Sequence, residues 1–129
     1  MSTKKNVSIW TAFTEWQPSI LQAVMEPKYS EDGDFLGSEF SNVFSLGFTD
    51  DDTVEADKVE TTNSLSKAVE GCSYDSDIIE SIKKKSILTT EDPIDTIVAI
   101  YNYSFSGEPK SSYIREKMFF YRGSFEYED

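Results

Sequence analysis

The sequence holds no histidine, a single cysteine, four prolines and six glycines in 129 residues. Each scarcity excludes a kind of protein. Without histidine there is no Ser-His-Asp triad, no Cys-His nucleophile pair and no imidazole to ligate a metal. Cys72 alone cannot build a disulfide framework, and a structural zinc site lacks its ligands. No apolar run approaches the roughly 18–20 residues of a membrane-spanning helix. The start, Met1 to Lys5, has two lysines but no long apolar stretch behind them, so it does not read as a signal peptide. A soluble, cytoplasmic chain in a reducing compartment is expected, with no membrane partner and no cofactor. Neither a phosphate-cradling glycine loop nor a nucleophile elbow occurs.

Basic side chains are also few, 12 against 24 acidic ones, for a net charge of −12 and a pI near 4.3. Direct nucleic-acid binding is disfavoured, because phosphate contacts need a basic face. Aromatics, by contrast, make up 14% of the chain, with nine Phe, seven Tyr and two Trp. That content supports a folded core and argues against disorder. The length suits one domain over residues 1–129.

The acid is uneven. Residues 1–25 carry a net +1 and residues 61–129 a net −4, whereas residues 26–60 carry eleven acids against Lys28 and Lys58. A like-charged cluster opposes compaction through self-repulsion and so invites a reason. It is either a solvated face or a docking surface for a basic partner.

Alternation along Val7, Ile9, Thr11 and Phe13 predicts a strand over 5–12. Pro18 in a first turn, followed by Ile20, Leu21, Val24 and Met25, predicts a helix that Pro27 ends. Glu31-Asp32-Gly33-Asp34 reads as a turn. Ser38 is an N-cap for a short helix over 39–45. Residues 53–60 suggest an edge strand, and 64–70 a helix ending at Gly71. Another helix begins at Asp75 or Ser76 and ends in lysines that suit its dipole. Residues 94–105 give the strongest strand signal, central and buried along Ile97–Ile100. A turn at Gly107–Lys110 then leads to a return strand over 113–121, which would form a long terminal hairpin. The fold expected is α+β, a mainly antiparallel sheet of about four strands with three or four helices packed on one face.

No catalytic constellation emerges. A calcium loop starting at Asp32 fails at its fifth position, Leu36, and at its twelfth, Val43. Carboxylate pairs are too numerous to single one out for acid–base hydrolysis. Cys72 reads as a packed thiol. The chain is therefore read as a non-enzyme, and an acid-dependent hydrolase would need a pocket with converging carboxylates. Candidate docking residues are Glu31, Asp32, Asp34, Asp50, Asp51 and Asp52, chosen for charge density. Trp16, Tyr29 and Phe48 are the candidate aromatic anchors, although core packing is the simpler role for Trp16.

Several short segments occur in a familiar order: Val7-Ser-Ile-Trp10, Tyr29-x-Glu31-Asp-Gly-Asp34, Ser38-Glu-Phe40, Gly71-Cys-Ser-Tyr74 and Gly123-Ser-Phe125-x-Tyr127. In that order and spacing, over nearly the whole chain, they resemble bacterial polymorphic-toxin immunity proteins of the Immunity protein 22 family. The resemblance implies a small cytoplasmic α+β protein that protects its producer by binding a cognate toxin domain. Family members are expected beside nuclease-type toxins among others, and an acidic inhibitor suits a basic nuclease cleft. The family pattern has His where Cys72 stands, so the resemblance gives that position no role. A different class, an acidic adaptor or DNA-mimicking antirestriction protein, fits the same charge; a neighbouring toxin gene separates the two.

Overall fold

Every strand of the main sheet is organised around β1 (Lys4–Ala12), whose alternating Val7, Ile9 and Thr11 set the register. In the computed structural model, which describes residues 3–87 and 89–129, β1 pairs antiparallel with β5 (Thr89–Tyr101) on one side and with β7 (Lys117–Glu128) on the other. Outside these lie β4 (Val54–Ser64) and β6 (Ser111–Ile114), giving the antiparallel order β4-β5-β1-β7-β6. The acidic β4 is an edge, as its weak alternation and many charges suggest.

The sheet is covered on both sides. Because side chains alternate along a strand, Ile97, Ala99 and Tyr101 of β5 join Val7, Ile9, Phe125 and Tyr127 on one face. There they pack beneath α3 (Leu65–Ala68) and α4 (Asp75–Lys84) through Leu65, Ala68, Ile78 and Ile82. Val98 and Ile100 face the other way with Trp10, Ala12 and Phe119, beneath α1 (Pro18–Met25) and α2 (Glu39–Val43). The expectation of helices on one face is thus corrected. The unbroken burial of Ile97–Ile100 already required cover on both sides.

Trp10 anchors the second core. Its ring meets Phe40 edge-on at 5.2 Å and lies within 5.3–5.8 Å of Phe44, Phe105 and Tyr121. Its buried indole N–H has no hydrogen-bond acceptor among the described residues. Such a stranded donor costs about 1–3 kcal/mol, which the burial of the ring and its aromatic neighbours must offset.

The terminal hairpin also differs from expectation. β5 and β7 are not neighbours, since β1 lies between them. The chain leaves the sheet at Asn102, which has φ 55°, and residues 103–105 cross beside β1. There Tyr103 N–H donates to the Asn6 carbonyl at 3.0 Å, and Phe105 N–H donates to Ser8 Oγ at 3.0 Å. The true hairpin joins β6 to β7 through Arg115 and Glu116, both left-handed at φ 48° and 69°. Two-residue hairpins need that geometry, normally from Asn or Gly, so Arg115-Glu116 carries no turn signal. The acidic tail is the end of β7. A bulge interrupts β7, because Ile9 faces Gly123 while Trp10 faces Tyr121, leaving Arg122 as the extra residue.

Candidate functional site: an aromatic and acidic face

The acidic stretch is organised by a small hairpin. Pro27 ends α1, and β2 (Lys28–Tyr29) then pairs with β3 (Phe35–Gly37). The connecting turn closes on itself. Ser30 N–H donates to the Asp34 carbonyl at 2.9 Å, Gly33 N–H to the Ser30 carbonyl at 3.0 Å, and Asp34 N–H to Ser30 Oγ at 3.0 Å. Gly33 supplies the positive φ of 86° that the turn needs. Backbone groups and Ser30 satisfy the turn, so no described partner takes up the carboxylates of Glu31, Asp32 and Asp34, and all three residues are exposed.

Behind the turn, β3 is fastened to α2. Asn42 Nδ2 donates to the Leu36 carbonyl at 3.2 Å. A Cβ on Gly37 would stand 2.2 Å from Asn42 Oδ1, so only glycine permits this approach. Ser38 and Ser41 form a reciprocal capping box that fixes the start of α2.

This arrangement presents aromatic rings outward. Tyr29 packs on Phe35 at 5.9 Å, and Phe35 packs edge-on against Phe48 at 5.2 Å. Phe48 is 69% exposed, and Tyr29 and Leu36 are each 55% exposed. Exposed apolar groups rimmed by polar ones mark interaction surfaces. Two residues beyond Phe48, Asp50 receives the Asp52 backbone N–H on its own carboxylate at 3.0 Å and so opens the 3-10 turn Asp51–Thr53. Asp52 is exposed, and the side chain of Asp51 lies outside the described residues.

The candidates therefore separate. Tyr29, Phe48, Glu31, Asp32 and Asp34 belong to one hairpin-and-loop face, with Asp50 and Asp52 following it. Trp16 stands apart, half-buried against Phe119 at 5.7 Å. Phe35 and Leu36 were missed by the sequence reading; their position in an irregular segment between turn and helix gave no periodic signal.

Other acids of the 26–60 stretch are engaged internally. Arg115 donates to both Glu39 oxygens, at 2.9 and 2.6 Å, and holds that carboxyl below its ordinary pKa. Glu55 accepts from Ser73 N–H and Oγ, each at 3.0 Å.

A third arrangement locks the connection between β1 and α1 to the sheet. Asp95 is buried and accepts from Thr14 N–H on Oδ1 and from Glu15 N–H on Oδ2, both at 2.8 Å. Lys58 Nζ lies 3.0 Å from the same Oδ2 and donates to Thr14 Oγ1 at 2.7 Å and Thr96 Oγ1 at 2.9 Å. Burial alone would raise the Asp95 pKa, but the Thr14 N–H, Lys58, Thr96 and Glu15 outweigh it, and the net shift is downward.

Nothing in these groups suggests bond-making chemistry. The Cys72 thiol is pushed up to about 12 by burial and then by the carboxylates of Glu55, Asp57 and Asp75, so it stays protonated. Among the described residues no cluster of His, Cys, Asp or Glu could hold a metal. No helix of the described residues is long and apolar enough to cross a membrane.

Comparison with protein families gives one decisive match. The family model described as Immunity protein 22 covers residues 7–128. The chain belongs to that family. No curated protein and no solved structure matches it. Membership brings a toxin-neutralising role in general and a cognate toxin as the partner.

Most segments that carry the family resemblance build the scaffold. Val7, Ile9 and Trp10 are core, Ser38 caps α2, Phe40 packs on Trp10, and Phe125 and Tyr127 lie beneath α4. Tyr74 donates to Asp129 at 2.6 Å and stacks near Tyr127 at 4.9 Å. In the segment Tyr29–Asp34 all three acidic residues are exposed, whereas Arg115 takes up Glu39 and Lys4 stands 3.8 Å from Glu126.

Proposed function

We propose that this Immunity protein 22 member neutralises its toxin by non-catalytic docking through the aromatic and acidic face of the β2–β3 hairpin and the 48–52 loop. The observation that carries the reading is the outward ring group Tyr29, Phe35 and Phe48 beside the uncommitted carboxylates Glu31, Asp32 and Asp34. Apolar anchors ringed by charge are the usual composition of an interface centre and its rim. A basic toxin domain is the partner this face suits, and nuclease domains, with clefts built for phosphate, are its foremost class. Complementary charge speeds encounter, which matters when an inhibitor must intercept a toxin inside the cytoplasm of the producing cell. Because the protein only has to occupy or block a surface, it needs no active site.

The test is co-expression with the toxin domain encoded beside the gene, read by cell survival and by pull-down of the purified pair. Protection with a stable complex is expected. A protein that neither binds nor protects would refute the proposal, and a complex undisturbed by Tyr29→Ala with Phe48→Ala would move the contact elsewhere on the molecule.

A further inference from the structure

The main sheet has two open edges, β4 and β6, and β4 is the acidic one. Hydrogen-bonding direction alternates along a strand. Thr3 and Asp129 exchange both backbone bonds, at 3.4 and 3.1 Å, so Lys5, Val7 and Ile9 bond β7 while Ser8, Trp10 and Ala12 bond β5. On β5 that leaves Ile97 and Ala99 to bond Asp57 and Glu55 of β4. Val54, Ala56 and Lys58 therefore turn their backbone N–H and C=O groups away from the sheet, and nothing among the described residues takes them up. A groove of about 490 Å³ runs along this edge, between it and α1. Val54, Ala56 and Lys58 line it, and so does Asp57, whose side chain belongs to the opposite face; what the four share is the backbone edge of the strand. Leu21 and Met25 of α1 form the far wall.

The two faces of this edge differ. Val54 and Ala56 pack against the core beneath α1 and α2, and Lys58 on the same side is drawn inward to Asp95. Glu55 and Asp57 lie on the α3/α4 side, where Ser73 donates to both Glu55 oxygens and both carboxylates bear on the Cys72 thiol. Among the described residues no cation pairs with either carboxylate. Asp57 is exposed, and its carboxyl pKa is raised by desolvation and then by Glu55. Because Val54, Ala56 and Lys58 are the outward-bonding positions, Glu55 and Asp57 fall at the positions between. There an antiparallel partner comes closest, about 4.5 Å between Cα atoms, so a cross-strand cation would meet its carboxylate at the shortest spacing a sheet offers.

We propose that the toxin adds an extended segment to the free edge of β4, as a sixth strand of the main sheet, with basic residues opposite Glu55 and Asp57 and apolar residues turned toward α1. In strand addition the main chain gives affinity and the alternating side chains give specificity. Here the main chain finds three open residues in register, and the alternation meets carboxylates on one face and Leu21 and Met25 on the other. Acids on an edge ordinarily prevent pairing. At β4 they do so selectively: a second copy would bring two acidic edges together, whereas a basic strand supplies the missing counter-ions. The opposite edge offers no such match. Lys110 C=O accepts from Tyr121 N–H at 2.7 Å, so on β6 the outward residues are Ser111 and Tyr113, flanked by Lys110, Arg115 and Lys117. Position also favours β4, since it follows at once on the 3-10 turn of residues 51–53, and α1 leads through Pro27 into β2. The inference rests on the docking reading, to which it adds a second contact and the conformation and charge of what occupies it.

The experiment has two arms. In the first, acetyl-Lys-Val-Lys-Val-Lys amide is titrated into the labelled protein. One control is the same peptide N-methylated at both valines, which keeps its charge but cannot pair; the other replaces its lysines with glutamates. Saturable shifts of the Val54, Ala56 and Lys58 amides with the first peptide alone, lost in Asp57→Lys, are expected. No saturable shift, or equal shifts with the methylated peptide, would overturn the inference. The second arm follows amide hydrogen exchange in the co-expressed toxin complex. The Val54, Ala56 and Lys58 amides should exchange at least about tenfold more slowly than in the free protein, and those of Ser111 and Tyr113 should not change. Ala56→Pro removes an N–H that the sheet does not use, at a position an edge strand tolerates. It and Asp57→Lys should each speed dissociation about tenfold, with folding checked by urea titration. If the wild type protects while its β4 amides exchange as in the free protein, the edge assignment fails and docking stands. Protection that appears in the free protein on concentration would assign the edge to a second copy and overturn the inference. If the wild type neither binds nor protects, the docking proposal fails, and the peptide titration still decides whether the edge accepts a basic strand.

Discussion

Replacing Asp95 by Asn should destabilise the protein by about 3 kcal/mol at neutral pH. The substitution preserves shape and leaves Oδ1 able to accept from Thr14 N–H, as it does now at 2.8 Å. It replaces Oδ2, however, with an amide nitrogen. That atom would then point donors at the Glu15 N–H, now 2.8 Å away, and at the Lys58 ammonium, now 3.0 Å away. Losing a charge-assisted hydrogen bond is worth about 1.5–3 kcal/mol, and stranding a buried donor adds about 1–3. Lys58 keeps both threonine hydroxyls and some solvent, which places the sum near its lower end. A loss of about 3 kcal/mol corresponds to a fall in Tm of roughly 10 °C for a domain of this size. Urea titration followed by Trp16 and Trp10 fluorescence gives the difference directly, provided the slope is unchanged. The pH dependence supplies an independent check. The Asp95 pKa is lowered in the folded protein, so its contribution is complete above the unfolded value of about 4 and disappears as pH falls through the lower folded value. The gap between wild type and variant should therefore stay constant from neutral pH to about pH 5 and narrow only below about pH 4. A gap under about 1 kcal/mol at neutral pH, or one that widens on acidification, would refute this account of how the β1–α1 connection is held to the sheet.

Three further outcomes are expected. Phe48→Ala should change stability by less than about 0.5 kcal/mol, because the ring is already mostly in solvent, yet speed dissociation of the toxin complex about tenfold; a large loss in urea titration would mean the ring is structural. The triple variant Glu31→Gln/Asp32→Asn/Asp34→Asn should slow association and flatten its dependence on salt in stopped-flow mixing, with little change in dissociation; an unchanged rate would identify the turn as a solvated face. Cys72 should resist iodoacetamide at mildly alkaline pH in the native protein and react promptly in urea, since its thiol titrates near 12 only while buried; rapid native alkylation would contradict the burial.

The fold was legible where local chemistry and packing agree. Proline at the start of α1, Ser38 at the cap of α2 and the β-branched run Ile97–Ile100 all say locally what the tertiary structure does with them. The order of the sheet was not legible, because it depends on a distant pairing. β1 inserts between two strands from the other end of the chain, and nothing in Ile94–Phe105 says whether its neighbour is the next strand or the first. The Arg115–Glu116 hairpin was hidden for a different reason. Its two residues take left-handed backbone that neither prefers, and the pairing of β6 with β7 over Ser111–Ile114 holds them there. The stretch Gly107–Lys110, expected to be the hairpin turn, lies instead in the connection between β5 and β6.

For the candidate site, charge density located the hairpin but could not distinguish acids that face outward from acids the fold consumes. Glu39 and Glu55 look no different in sequence from Glu31, yet Arg115 and Ser73 reach them from 76 and 18 residues away. Lys58 is the sharper case. Counted by sequence, it offsets one acid of the 26–60 stretch and lowers the case for a docking face. Folded, it is neutralised by Asp95, an acid outside that stretch, so the local offset vanishes. The same node that fastens the β1–α1 connection to the sheet therefore also withdraws the lysine of β4 from the balance of the acidic stretch. An Asp95→Asn variant that still folds would release that charge beside the acidic stretch and so slow association with a basic toxin domain, without altering any residue proposed to touch it.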